Sequence, residues 1–120
     1  MAYDSNNIFA RILRGEIPAK KLHESRHALA FADINPQAPT HVLVIPKGAF
    51  EDFSDFASKA SPEEQADFFR TVAETAEKVE ATSKGYRLIA NQGANAHQEV
   101  PHFHIHILAG RPLGPMLSKK

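Results

Sequence analysis

The chain has 120 residues, 42% of them hydrophobic, which is enough to bury a core in a single domain spanning 1–120. Its 14 basic and 14 acidic side chains cancel, so no long-range field draws it to nucleic acid or an anionic membrane. The absence of cysteine excludes a disulfide framework, thiolate zinc sites and a cysteine nucleophile. No stretch approaches the run of about 18 apolar residues that spans a bilayer. The polar start, with Asp4, Asn6 and Asn7, lacks the basic-then-apolar order of a signal peptide, and a cytoplasmic protein is expected.

Ile8, Phe9, Ile12 and Leu13 recur at helical spacing between the capping residues Ser5 and Asn6 and a stop at Gly15, which predicts a short first helix. Three strands follow, at 21–24, 28–32 and the β-branched 40–45, the last closed by Pro46. Between the second and third, residues 33–39 hold Pro36 and Pro39 among polar residues and read as a loop beside two strand ends. Ser61, Pro62 and Glu64 form an N-terminal capping signature. The long helix it opens carries a stripe of Phe68, Phe69, Val72, Ala73, Ala76 and Val79, with Lys84 and Gly85 as its stop. A fourth strand at 86–91, a polar loop at 93–101 and a fifth strand at 102–109 complete the series, before an extended tail at 110–120. The expected architecture is α+β: a five-stranded antiparallel meander with one short and one long helix on one face.

Histidine is the conspicuous residue. Of seven, four lie between positions 97 and 106, and His102, His104 and His106 alternate with Phe103, Ile105 and Ile107. In a strand that period of two puts three imidazoles on one face and three apolar side chains on the other. Solubility alone does not call for imidazole three times in a row, since Thr, Lys or Glu serve it equally. A neutral imidazole is a good nucleophile near its ordinary pKa of about 6.5, and neighbouring imidazolium groups can hold phosphate oxygens, so the row suits phosphoryl chemistry with His104 as attacker. Metal binding is the rival. The Cα atoms of His102 and His106 lie roughly 13 Å apart in a strand, too far for an easy three-histidine set, although a pair joined by His41 or Glu99 stays open. His41 opens the third strand where its ring can face the same cleft, and Asp33 offers a carboxylate to vicinal hydroxyls. His23 and His27 read as surface residues.

The run His102-Phe103-His104-Ile105-His106-Ile107-Leu108 resembles the signature of the histidine triad family, in the branch of nucleotide-binding phosphoramidases. Ile8-Phe9, Glu16-Ile17-Pro18-Ala19-Lys20, Asp33-Ile34, the segment from Pro36 to His41, and Val44-Ile45-Pro46-Lys47 extend the likeness over almost the whole chain. The resemblance implies a homodimer with joined sheets and a site for AMP-like or GMP-like groups that requires no cofactor and no metal. It also implies roles. His104 attacks the α-phosphorus with its ring oriented by the carbonyl of His102, while His106 and His41 hold the phosphate and its protons. Asp33 binds ribose, and Ile8, Phe9, Phe31 and Ile34 sandwich the base. Asn91 and the Gln98-Glu99 turn line the phosphate, with His97 beside them. Two departures stand out: Glu99 replaces a serine that assists the leaving group, and His97 stands where glycine is common.

The function expected is hydrolysis at the α-phosphorus of purine nucleoside 5′-phosphoramidates or acyl-adenylates, through a nucleotidyl-histidine intermediate. The alternatives are a dinucleoside polyphosphate hydrolase, a non-catalytic nucleotide-binding regulator and a zinc-dependent hydrolase.

Overall fold

Strands β2 (Ala28–Ala32) and β3 (Thr40–Pro46) are apolar at nearly every position because both of their faces are covered. On one side Ala28, Ala30, Val42 and Val44 join Phe103, Ile105 and Ile107 beneath Phe56, Phe68, Val72 and Ala76. On the other, Leu29, Phe31, Leu43 and Ile45 pack against Phe9 and Ile12. The computed structural model describes residues 2–117, so the last three residues of the tail expected at 110–120 lie outside the described residues. In chain order the elements are α1 (Ile8–Leu13), β1 (Lys21–Glu24), β2, β3, α2 (Phe53–Lys59), α3 (Pro62–Lys78), β4 (Arg87–Ile89), a 3-10 turn (Ala94–Ala96) and β5 (Ile105–Ala109).

The class is α+β and the sheet is five-stranded and antiparallel, in the order β1-β2-β3-β5-β4. Two expectations need correction. Only β1 to β3 run as a meander, because the chain leaves α3 for the far edge and β5 then returns between β3 and β4. The helices also cover both faces, α2 and α3 on one and α1 on the other, because the sheet's two central strands offer apolar side chains in both directions. Among the described residues no helix is long and apolar enough to cross a membrane.

Helix α2 is additional to the one short and one long helix expected. Asp52 caps it by accepting from the Asp55 amide, and its Phe56 stacks on Phe103 with ring centroids 4.9 Å apart. The cap of α1 is Asn7, whose side chain accepts from the Ala10 amide, instead of Ser5 or Asn6. The capping box at Ser61 and Glu64 forms as expected.

Helix α3 ends before Lys84. The Ala81 amide reaches the Ala76 carbonyl and the Glu80 amide reaches that of Glu77, the reciprocal pair of a Schellman motif. Ala81 tucks into the core with Ala76. The motif requires a left-handed residue, and Glu80 supplies it at φ 60°, a conformation costly for a residue with a Cβ. Glu80→Gly is therefore expected to raise unfolding stability by about 1 kcal/mol, since glycine enters this region without penalty. Urea unfolding of the two proteins checks this, and a glycine variant no more stable than the parent contradicts it.

Candidate active site

The strand expected at 102–109 begins only at Ile105, and that shortening builds the site. Antiparallel register pairs Val44 with Ile105, Leu43 with His106 and His41 with Leu108. Two residues further on, the register would set Phe103 opposite Pro46, which has no N–H to offer a ladder. The chain instead turns away, and the Phe103 amide donates to the Phe50 carbonyl. His102, His104 and His106 still face the α1 side, while Phe103, Ile105 and Ile107 enter the α2–α3 core.

Hydrogen bonds assign the tautomer of each ring. His102 is fully buried, and its Nε2 lies 2.8 Å from the Pro46 carbonyl, an acceptor only, so Nε2 carries the proton. Its Nδ1 then accepts from the Tyr3 hydroxyl. His104 Nδ1 lies 2.7 Å from the His102 carbonyl, so it is the donor, and Nε2 is left with a free lone pair. His41 Nδ1 accepts from the Gln37 amide at 3.0 Å, which places the proton on Nε2, 2.9 Å from His106 Nδ1 and 3.3 Å from an Asp33 oxygen. His106 Nδ1 is thus an acceptor, and its Nε2–H is the free donor.

Burial pushes all four imidazoles below their ordinary pKa. His102 and His106 are held at about 4, the first against the Pro46 hydrogen bond and the second with further repulsion from His104 and His41. For His104, burial outweighs the His102 carbonyl and the charges of Asp33 and Glu99. For His41, burial outweighs Asp33. The imidazolium groups expected from the sequence are therefore neutral donors at neutral pH, and a phosphate beside them is what would favour their protonation.

A cavity of about 650 Å³ opens over His104 and His106. Ile8, Phe9, Phe31, Asp33, Ile34, Asn91, His97 and Glu99 all line it. Phe9 is buried with its ring edge-on to His104 at 4.9 Å, whereas Ile8 and Ile34 are exposed at the rim. Gln98 does not line the cavity: its amide nitrogen donates to the Glu51 and Val100 carbonyls and its oxygen accepts from the Gly93 amide, so it braces the loop. His102 is likewise absent from the wall and acts through its carbonyl. His23 and His27 are half-buried against α3 beside Glu74 and Glu63, a departure from the surface placement expected. Sequence reasoning missed Tyr3, Pro46 and Gln37, whose roles are polar contacts formed only once the chain folds.

Asp33, His41 and His106 bring donor atoms within 4.8 Å of one another. They fit a cation poorly, because His41 Nδ1 is committed to the Gln37 amide and the nitrogen facing the cluster is the protonated one.

The HIT domain model matches residues 14–113, and the chain belongs to the HIT family. It is 62% identical over 117 residues to an uncharacterized 13.2 kDa HIT-like protein of Azospirillum brasilense, covering 98% of this chain and 96% of that one. It is 43% identical over 115 residues to the purine nucleoside phosphoramidase of Escherichia coli, covering 94% of each. The crystal structure of a HIT family hydrolase from Legionella pneumophila superposes with a TM-score of 0.84 at 38% identity, over 91% of this chain and 96% of that one.

The depressed imidazoles have a consequence for folding. Released from the fold, His102 and His106 return to about 6.5, so between pH 6.5 and about 4 the unfolded chain binds protons that the native chain refuses. Their effect on stability is level above pH 6.5 and turns destabilising as pH falls through that window. The melting temperature followed by circular dichroism is expected to drop across it, with a shallower slope in His102→Gln. Equal slopes would remove His102 from the account.

Proposed function

We propose that the chain is a cytoplasmic nucleotide-binding hydrolase that cleaves the bond at the α-phosphorus of purine nucleoside 5′-phosphoramidates or acyl-adenylates. The observation that carries this reading is the 2.7 Å contact from His104 Nδ1 to the His102 carbonyl, which presents an unprotonated Nε2 to the cavity. That lone pair attacks phosphorus, a P–N(His104) bond forms, and the bond to the amine or acyl oxygen breaks. The leaving group departs with its electron pair and, if an amine, takes up a proton. Water then attacks the same phosphorus, the P–N(His104) bond breaks, and the nucleoside monophosphate leaves with the imidazole restored.

His106 donates from Nε2 to a non-bridging oxygen, and His41 keeps it in the donating tautomer. Such a donor acts where charge develops on the phosphate oxygen in the transition state. Asp33 accepts from ribose hydroxyls while Ile8, Phe9, Phe31 and Ile34 hold the base, and Asn91 lies beside the phosphate. The likeness to the Escherichia coli phosphoramidase supports the purine phosphoramidate in particular.

With adenosine 5′-phosphoramidate as substrate and EDTA present, the parent is expected to release AMP and to yield a nucleotidyl adduct on His104 after acid trapping. His104→Ala should lower kcat by at least about a thousandfold, the scale expected for loss of a nucleophile. A variant that keeps its rate, or a parent whose activity EDTA abolishes, defeats the mechanism.

The reading includes a homodimer. Strand β4 is the sheet's outer strand beyond β5, with Leu88 46% and Tyr86 37% exposed, an edge that a second copy would cover. Sedimentation equilibrium is expected to give a dimer that Leu88→Lys weakens. A monomeric parent at micromolar concentration would exclude it.

A further inference from the structure

The cavity's charges are one-sided. Among the described residues its lining includes neither lysine nor arginine, and its two formally charged residues are the carboxylates Asp33 and Glu99. Burial holds His104 and His106 below their ordinary pKa, so at neutral pH neither ring is a standing cation for an anionic ligand. The polyphosphate chain of a dinucleoside polyphosphate carries several negative charges and finds no lysine or arginine among the described lining residues to receive them.

Glu99 and Asp33 occupy different parts of the site. Asp33 stands beside His41, at the His106 end of the histidine row. Glu99 belongs to the loop that enters the row at His102, and its charge reaches His104. In-line displacement places the leaving group on the side of phosphorus away from the nucleophile. His104 is buried at the floor, so that side is the cavity mouth, where the side chains of Glu99 and His97 are 76% and 86% exposed. Glu99 lies 3.8 Å from His97. His97 is held at φ 60° by a loop that the Gln98 side chain braces at three points, so the pair sits on a fixed support.

We propose that Glu99, with His97 beside it, makes the leaving-group side of this site selective for nucleotide conjugates whose leaving group carries a positive charge. The inference rests on the hydrolase reading above and narrows its substrate class. A cationic group meets the carboxylate as the bond breaks, a neutral group meets nothing, and an anionic group is repelled. Exposed charges attract weakly, so each step of the series amounts to only a few fold.

The test uses three adenosine 5′-phosphoramidates whose amine chains match in length and end in ammonium, methyl or carboxylate. In the parent, kcat/KM is expected to fall in that order, with about tenfold between the charged ends at low salt and less at high ionic strength. In Glu99→Gln the ratio between ammonium and carboxylate should shrink to about threefold or less. A ratio has the advantage that any general loss of rate divides out. His104→Ala provides a second readout, since it binds the same series without turnover, and its dissociation constants measured by calorimetry should follow the same order. A parent that binds the three in this order and cleaves none overturns the hydrolase reading while supporting the selectivity. Equal rates and equal affinities across the series, or an undiminished ratio in Glu99→Gln, overturn the selectivity.

Discussion

The hydrogen bond from His102 Nε2 to the Pro46 carbonyl is the contact on which the site depends. It joins the end of β3 to the segment just before β5 by a side chain, at the point where the backbone ladder stops. Proline makes the exchange possible, since without an N–H it cannot extend the pairing, while its carbonyl remains free to accept. With Nε2 committed as donor, His102 Nδ1 becomes the acceptor for Tyr3, and the N-terminal segment is drawn over the ring. The strand's early end has a second effect. The His102 carbonyl is not spent on the ladder and accepts from His104 Nδ1. Had β5 run on to His102, as its alternation allows, that carbonyl would be open to a neighbouring strand and the tautomer of His104 would be less well determined.

The cost of this arrangement is the burial of rings that water would otherwise solvate. His102, His104 and His41 are among the buried polar residues, and each has a protein partner, which keeps that burial affordable. Neutrality suits the proposed chemistry. A protonated His104 would have no lone pair, and at neutral pH burial favours the unprotonated ring that the proposed attack needs. Charge can then enter with the substrate, whose phosphate oxygens would raise the affinity of His106 for protons as they accept its hydrogen bond. Asp33 opposes the burial effect on both rings already.

Periodicity made most of the fold legible. The alternation around His104, the capping box at Ser61 and the apolar run at 40–45 each stated a local rule that the chain obeys. The residues that line the cavity were legible largely through likeness to a family, because Ile8, Asp33 and Asn91 carry no local signal that joins them. What escaped was set by tertiary context. Helix α2 is a single pair of turns with one fully buried residue, Phe56, and its apolar face has meaning only against Phe103. Helix α3 stops at Lys78 because Ala81 gains burial by turning inward, which outweighs the strain on Glu80 and overrides the glycine at 85. The second layer of helix was missed because a run such as Leu29-Ala30-Phe31 looks the same whether one or both faces are covered.

Gln98 shows how a residue can matter to a site without touching its contents. Its amide reaches from the loop at 93–100 to the Glu51 carbonyl, one residue before the Asp52 cap of α2, and back to Val100. The helix that sequence reasoning overlooked is therefore the anchor of the loop bearing Glu99. The Ser54 amide and hydroxyl of α2 both donate to Gln92 Oε1 just before the same loop, a second tie to that helix. Because the histidine row is held from the opposite side, through Pro46 and Tyr3, the two halves of the site have separate supports. The geometry of His104, the proposed nucleophile, is tied to the end of β3, and the loop bearing Glu99 to the start of α2. None of the hydrogen bonds that set the tautomers of the histidine row involves Glu99 or His97, so the loop's charges and the row's tautomers are fixed separately.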